Sequence, residues 1–385
     1  MVEEPALRKS HSNSSSRQVP LWKLAEFFLR LGTTAFGGPA AHIGIMEDEL
    51  VRRRAWLSRE TFLDLLGASN LIPGPSSSEL AIHIGYLCAG WRGLVIAGTC
   101  FVLPAALMVG GLGWLYVHFG KLPATTAILH GIKPVVIAII LQALWSLGRT
   151  AVKTTFLGFV AMISLCLTLF SMHPLLLLLA AGTMACLPQL RSSRPSSFTV
   201  PAMPIAGVGL ATTFSLASLF VVFLKMGATV FGSGYVLLAF LRSDLVVHRG
   251  WLTDTQLIDA VAVGQVTPGP VFTTASFIGF ILGGVRGAVL STIAIFLPAF
   301  VLVAISGPLV PRIRKSKIAG SFLDGVNVAS LALVAAVTWQ LGRASLIDAG
   351  SILLTVVSLI ALLRFRVNSA WLVLLGAVVG LAFQR

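Results

Sequence analysis

The feature that most constrains the fold is an internal repeat, in which the pattern between Phe28 and Arg149 recurs between Phe223 and Arg343. The matched positions are mostly glycines, prolines and isolated polar residues, whose effects on backbone or charge are specific. They lie 195 residues apart at first and 194 residues apart after one residue is lost, and include Gly32/Gly227, Gly37/Gly232, Trp56/Trp251, Asp64/Asp259, the tripeptides 73–75/268–270, Gly85/Gly279, Arg92/Arg286 and Pro104/Pro298. Chance similarity among leucines does not produce such a set, so the chain is a duplicated unit.

The composition places this unit in a membrane. Hydrophobic residues form 56% of the chain and charged residues 11%, whereas a soluble domain has about 25% charged residues. The apolar runs approach the ~20 residues that a helix needs to cross a bilayer, as at 94–117, 135–147, 155–171 and 352–363. The net charge is +14, and the basic residues lie in short stretches between apolar segments. This distribution is typical of the cytoplasmic loops of a membrane protein rather than of a nucleic-acid-binding surface. The sequence therefore predicts an all-α integral membrane protein whose surroundings are the lipid bilayer.

Each copy contains a helix broken at glycine, a short amphipathic helix, a Pro-Gly-Pro break and several longer apolar helices. We predict helices in the first copy at 22–48, 58–70, 76–89, 92–117, 124–148, 154–171 and 174–190, and in the second at 215–243, 253–265, 271–283, 286–310, 320–342, 349–364 and 369–383. The predicted organisation is a disordered tail (1–20), a first membrane repeat (21–190), a linker (191–210) and a second membrane repeat (211–385).

The stretches beside each Pro-Gly-Pro are too short to span separately, and this tripeptide cannot continue a helix, so we expect a re-entrant hairpin in each copy. Equivalent loops differ in charge: one carries His118 and Lys121, the other Arg312, Arg314, Lys315 and Lys317. They are therefore predicted to face opposite sides. With about five spans per copy, the two tandem repeats have inverted topology, an architecture in which transporters bind substrate at the midplane between the halves.

The glycine breaks are the first candidate site. Phe36-Gly37-Gly38-Pro39 is matched by Phe231-Gly232-Ser233-Gly234, and exposed N–H groups at the start of a half-helix bind anions. Close packing of small residues is the alternative reading. Six residues earlier lie Arg30 and its counterpart Lys225, and a charge inside an apolar helix costs about 3 kcal/mol. Substrate contact, a structural ion pair such as Arg30 with Glu26, and snorkelling to the interface all remain open for these two residues.

The Pro-Gly-Pro turns are the second candidate site. A helix that begins at such a break with hydroxyls in its first turn suits a tetrahedral oxyanion, although a purely structural turn is the alternative. Asn70 and Gln265 add amides before the breaks, whereas Asp64 and Asp259 are more often helix caps or partners of loop bases than proton acceptors, and any role of Lys133 is asymmetric because Asn327 replaces it. The predicted substrate-binding set is Arg30, Gly37, Gly38, Asn70, Pro73, Gly74, Pro75, Ser76, Ser77, Lys225, Gly232, Ser233, Gly234, Gln265, Pro268, Gly269, Pro270, Thr273 and Thr274, with Ser78 as a further hydroxyl.

Three stretches resemble the chromate ion transporter (CHR) family: FLRLGTTAFGGPAAHIG, the run from Arg52 to Leu57, and LIPGPSSSE. The resemblance covers residues 22–385 and fits the family's long-chain, two-domain type. It implies a multi-pass protein of the bacterial plasma membrane that exports chromate, with halves inserted in opposite orientations and transport energised by the membrane gradient. The matched signature residues are Gly37, Gly38, Pro39, Pro73, Gly74 and Pro75, with Arg30 at the basic position.

Two departures from the family pattern concern the substrate. Similar proteins have Gln where this chain has Asn70, and an amide where it has Glu79. An acidic residue beside a dianion site is unfavourable unless it is protonated or turned away. Chromate and sulfate share shape and charge, so the motifs do not separate them.

No ATP-binding, metalloprotease, paired-cysteine or nucleophile motif occurs, and the sequence predicts neither a cofactor nor an enzyme. The alternative functions are transport of sulfate or another oxyanion, a membrane oxidoreductase that reduces chromate, and a sensor or scaffold. Transport direction, coupling ion and oligomeric state, including a homodimer, are left open by the residues.

Overall fold

The computed structural model describes residues 19–120, 122–170, 172–192, 214–231, 234–306, 317–365 and 367–382. All regular structure in these ranges is helical. Several sequence predictions lie outside the described residues: the tail through residue 18, the linker from residue 193, Gly232, Ser233, Lys121 and the basic residues Arg312, Arg314 and Lys315.

The two copies fold into the same series of helices. The first contains α1 (Leu21–Thr34), α2 (Gly38–Met46), a π-helical segment (Glu47–Arg53), α3 (Arg59–Ser69), α4 (Ser76–Phe119), α5 (Pro123–Ala151), α6 (Thr155–Leu169) and α7 (Pro174–Ser192). The second contains α8 (Leu216–Thr229), α9 (Val236–Leu241), a π-helical segment (Arg242–His248), α10 (Asp254–Val266), a 3₁₀ turn (Val271–Thr273), α11 (Thr274–Ser306), α12 (Lys317–Ser345), α13 (Ala349–Arg364) and α14 (Ser369–Ala382). The element order is thus duplicated along with the sequence motifs.

The helices are interrupted at glycines. Between α1 and α2, Gly37 and Gly38 have φ of +106° and +72°, a region of backbone space that glycine adopts without steric cost. Within α4, Gly90 has φ of +60° and ψ of −147°, and its counterpart Gly284 within α11 has φ of +60° and ψ of −150°. The predicted boundary between a short and a long helix after each Pro-Gly-Pro is therefore present as a kink of two non-helical residues, Ala89–Gly90 in α4 and Gly283–Gly284 in α11.

Four described helical stretches are long and apolar enough to cross a membrane: Ser76–Phe119, Pro123–Ala151, Val271–Ser306 and Ile318–Ser345. Five shorter apolar helices accompany them. Large apolar side chains are exposed on the outer helices, for example Leu353 at 65% on α13 and Val285 at 67% on α11. Such surface is favourable in lipid and unfavourable in water, and the protein is a multi-pass membrane protein.

Equivalent helices of the two copies pack antiparallel. Along α4 and α11, Gly98 lies against Phe300 whereas the later Gly113 lies against Phe280. Along α5 and α12, Gly148 faces Leu331. The contact between the two helices extends beyond the end of α5, because Lys153 Nζ contacts Asp324 Oδ1 on α12 at 2.7 Å. In both pairs, a later residue of the first copy meets an earlier residue of the second.

The last helix of each copy packs against the other copy. Helix α14 packs on α5 of the first copy, where Gly131 contacts the backbone of Gly376 and Gly380. Helix α7 packs on α12 of the second copy, where Gly325 contacts the backbone of Ala181. Small residues allow these helix backbones to approach closely. The largest buried apolar cluster accordingly contains residues of both copies.

Candidate functional site

The chain interruptions of one copy meet those of the other. Gly74 of the first Pro-Gly-Pro donates its N–H to the carbonyl of Val230, at 2.7 Å, just after α8. Gly269 of the second Pro-Gly-Pro donates to the carbonyl of Ala35, at 3.1 Å, just after α1. The two bonds join equivalent residues. We call this meeting point the central junction, formed by residues 35–38, 73–75, 230–231 and 268–270.

Glycine is required at the centre of both Pro-Gly-Pro turns. Gly74 and Gly269 have φ of +140° and +96°, values that strain any residue with a side chain. A Cβ on Gly269 would lie 2.6 Å from Cβ of Ala105 on α4. A Cβ on Gly74 would overlap the Glu79 carboxyl group, while the equivalent Ala299 on α11 is at an ordinary contact distance of 3.8 Å. The conformation and the packing of the two turns therefore depend on the same missing side chain.

Helix starts supply N–H donors beside the junction. Helix α2 begins at Gly38 and α4 at Ser76, and no side chain among the described residues caps either start. Uncapped N-termini carry unsatisfied donors and the positive end of the helix dipole. The second copy differs, since the Thr273 and Thr274 hydroxyls donate to Pro270 and Val271 carbonyls at 2.7 Å. Those two predicted anion donors are engaged by their own backbone in this conformation.

The two predicted basic residues have different surroundings. Lys225 Nζ lies 3.4 Å from Asp244 Oδ2 and 3.4 Å from His173 Nε2. Burial, followed by the Lys225 ammonium, lowers the pKa of His173, and its Nδ1 accepts the Leu175 N–H at 3.2 Å. Arg30 is exposed, and its pair with Glu26 is not formed within the described ranges. The structural ion pair considered for both residues is therefore present for Lys225, and Arg30 is the more accessible cation.

His42 is a buried residue that sequence reasoning did not single out. Its Nε2 donates to the Ala35 carbonyl at 3.1 Å, so its Nδ1 accepts from the Ser77 hydroxyl at 3.4 Å. His42 thereby links the carbonyl that receives Gly269 to the first turn of α4. A polar residue four positions after the glycine break was the available signal. The equivalent position in the second copy is Leu237.

The two predicted amides are also placed differently. Asn70 is exposed at the end of α3, whereas Gln265 is buried. A cavity of about 10 Å³ lies between Gln265, Tyr235 and Gly234, enough for about one water. An open apolar groove of about 500 Å³ is lined by residues that include Phe36, Trp114 and Pro268. The groove therefore borders the junction at Phe36 and Pro268.

Asp259 has a partner that the sequence did not indicate. Lys133 Nζ on α5 lies 3.1 Å from Asp259 Oδ1, and the Tyr116 hydroxyl on α4 donates to Oδ2 at 2.9 Å. The expected partner was a helix end or a loop base. Asp259 instead pairs with a lysine inside a long apolar helix, and this ion pair joins the two copies.

Comparisons with known proteins agree with the duplicated architecture. The family described as "Chromate transporter" matches residues 22–186 and 217–381, once per copy. The "Probable chromate transport protein" of Synechococcus elongatus is 34% identical over 375 residues, which cover 94% of this chain and 95% of that protein. The "Chromate transport protein" of Cupriavidus metallidurans is 34% identical over 367 residues, which cover 93% of this chain and 91% of that protein.

A half-length relative matches as well. The "Uncharacterized transporter YwrA" of Bacillus subtilis is 31% identical over 169 residues, which cover 42% of this chain and 93% of that protein. No solved structure matches this chain. With a family match in each copy and full-length relatives above 30% identity, this chain belongs to the chromate transporter family.

Proposed function

We propose that this protein is a secondary transporter that exports chromate across the bacterial plasma membrane by alternating access. The central junction is the observation that carries the proposal. Its two exchanged hydrogen bonds, from Gly74 to Val230 and from Gly269 to Ala35, make each half complete the interrupted backbone of the other. Interrupted backbone at membrane depth is tolerated where protein shields it or a polar cavity hydrates it, and transporters bind ions at such breaks.

The proposed topology is inverted, with about five spans per copy and a re-entrant hairpin around each Pro-Gly-Pro. Antiparallel packing of equivalent helices supports the inversion. Helix α3 has 11 residues, or about 16 Å, and the part of α4 before its kink is about 20 Å long. Both are shorter than the ~30 Å hydrocarbon core, so together they enter and leave on one side.

The proposed substrate is a tetrahedral dianion held at the junction. The uncapped starts of α2 and α4 direct N–H groups there, and Arg30 lies on α1 one turn before the break. Lys225 is held by Asp244 and contributes less net charge. Sulfate presents the same shape and charge, so substrate choice is decided by measurement against competing anions.

The test is chromate flux in proteoliposomes with a controlled voltage. Arg30→Gln is expected to lower the flux at least tenfold, because it removes the accessible cation beside the break. Arg92→Gln is the matched control, since Arg92 is exposed at the kink of α4, and it is expected to transport normally. Transport by Arg30→Gln at the wild-type rate would remove the cationic site from the proposal.

Counterflow with chromate, sulfate, molybdate and phosphate in the same vesicles identifies the substrate. We expect chromate to exchange fastest and sulfate to compete. No flux of any of these anions would overturn the transporter proposal. An absorption band of a bound redox cofactor, together with chromate reduction, would favour the oxidoreductase alternative.

A further inference from the structure

Glu79 has the least expected environment of any acidic residue in the described chain. It lies in the first turn of α4 and is 0% exposed. Neither carboxylate oxygen has a hydrogen-bond partner among the described residues. Its Oε1 occupies the space beside Gly74 into which a Cβ would project. The carboxyl group is therefore packed directly against the glycine that bonds to Val230 at the central junction.

His83 lies one turn further along the same helix. It is 3% exposed, and its Nε2 also lacks a partner within the described residues. Residues four apart share a helix face, so α4 carries two buried, unpartnered titratable groups in succession behind the junction. At the spacing of 194 residues that relates Gly85 to Gly279, the equivalent residues of the second copy are Thr273 and Phe277, and neither can titrate. The arrangement belongs to one half only.

Charges on the surrounding elements do not compensate Glu79. The helices packed on α4 are α1, α2, α3, α10 and α11. Their titratable residues are Lys23, Glu26 and Arg30 on α1, His42 on α2, Arg59, Glu60 and Asp64 on α3, Asp254 and Asp259 on α10, and Arg286 on α11. In the described part of the chain, none forms an ion pair with Glu79, while Asp259 pairs with Lys133 and Arg59 contacts Glu47.

A buried carboxylate without a partner is strongly disfavoured relative to the neutral acid. A dianion at the junction adds repulsion to that penalty. Hydration favours the ionised form instead, because a carboxyl group that is open to water ionises at neutral pH. In a conformation that opens the junction to water this carboxyl group would be ionised, and closure around an anion would return the proton to it.

We propose that Glu79 is the proton-binding site of this transporter and that protonation of its carboxyl group accompanies binding of the oxyanion, with His83 as the next proton acceptor along α4. This inference rests on the proposed function and names its coupling ion. The proton moves from solvent to a Glu79 oxygen as the anion binds, and returns to solvent, directly or through His83 Nε2, as the anion leaves. No bond other than these O–H and N–H bonds changes.

Chromate binding to the purified protein in detergent tests the proposal without transport. Isothermal titration calorimetry in two buffers of different ionisation enthalpy counts the protons taken up per anion. The wild-type protein is expected to take up about one proton per anion beyond the number taken up by Glu79→Gln. Because both proteins titrate the same anion, the difference removes protonation of chromate itself.

The pH dependence of the affinity provides the second measurement. One coupled proton changes Kd by up to about tenfold per pH unit, and Glu79→Gln is expected to lose this part of the slope. Glu60→Gln, an exposed acid on α3, is the control and should keep it. Equal proton uptake and equal slopes in wild type and Glu79→Gln would overturn the proton site.

Two further outcomes are decisive. If Glu79→Gln does not fold, wild-type protein that binds chromate with no proton uptake beyond that of the free anion still overturns the inference. Absence of chromate binding in both wild type and Glu60→Gln would instead contradict the proposed function, so the two failures are distinguishable.

Discussion

Two residues of opposite charge, Lys133 and Asp259, meet inside the membrane-spanning part of the protein. Their side chains are 17% and 3% exposed. A buried ion pair adds little stability over apolar packing, but removal of one partner leaves a charge without compensation and costs about 3–5 kcal/mol. Because Lys133 belongs to the first copy and Asp259 to the second, the pair opposes any relative shift of the two copies.

We therefore expect Lys133→Gln and Asp259→Asn each to destabilise the protein by about 3–5 kcal/mol, and the double variant to recover part of that loss. Thermal unfolding in detergent measures all three. Lys153→Gln is the control, because Lys153 is 59% exposed in its pair with Asp324 and exposed pairs contribute about 0–1 kcal/mol. A double variant whose destabilisation equals the sum of the single variants would show that the two charges do not interact.

At the scale of helices, the sequence identified the elements and left their partners open. The predicted helices at 92–117 and 124–148 lie within α4 and α5, because glycine, proline and hydrophobic runs report local structure. The exchange of α7 and α14 was not predictable. It depends on contacts between positions that are far apart in the sequence, such as Gly182 against Phe322. The hydrophobic periodicity within one copy does not indicate which distant helix will pack there.

In the candidate site, too, the sequence indicated the motifs but not the partners of their side chains. Motif position indicated the Pro-Gly-Pro turns and the glycine breaks, and the structure brings them together in pairs. The partner of Lys225 was not predictable because Asp244 is 19 residues away on another element. Likewise, spacing does not show whether the Thr273 hydroxyl faces a ligand or bonds to Pro270, since a rotation of one side chain decides it.

Glycine contacts determine how closely α14 approaches α5, and this can be tested. A Cβ on Gly131 would overlap the Gly376 carbonyl oxygen, so Gly131→Ala is expected to separate the two helices. We expect destabilisation of about 2 kcal/mol or more, as for other overpacked sites. Gly110→Ala is the matched control, because no atom lies within 4 Å of a Cβ there, and it should be neutral or slightly stabilising. Equal melting temperatures for both variants would contradict this packing.

For the molecule as a whole, the proposed inverted topology predicts that equivalent surface positions lie on opposite faces of the membrane. Glu60 on α3 and Thr255 on α10 are such a pair, and both are exposed. They occupy the same position in the two copies. The orientation of the copies can thus be measured by one pair of sites.

Cysteines placed at these two sites should react from opposite sides. In a background from which Cys88, Cys100, Cys166 and Cys186 have been removed, we expect Glu60→Cys and Thr255→Cys to be labelled by a membrane-impermeant maleimide in vesicles of opposite orientation. Labelling after detergent permeabilisation is the control for accessibility. Reaction of both sites from the same side would show that the halves are parallel and would refute the inverted topology.

The exchange of the last helices also has a consequence for how the protein is made. Gly131 on α5 packs against Gly376 on α14. The ribosome must synthesise most of the second copy after Gly131 before this contact can form. At about 5–20 residues per second, ribosomal synthesis of that interval takes roughly 10–50 s. During this time the face of α5 that later packs against α14 has no protein partner. A nascent chain that stopped before residue 369 would therefore leave this face to be covered by lipids or by a chaperone.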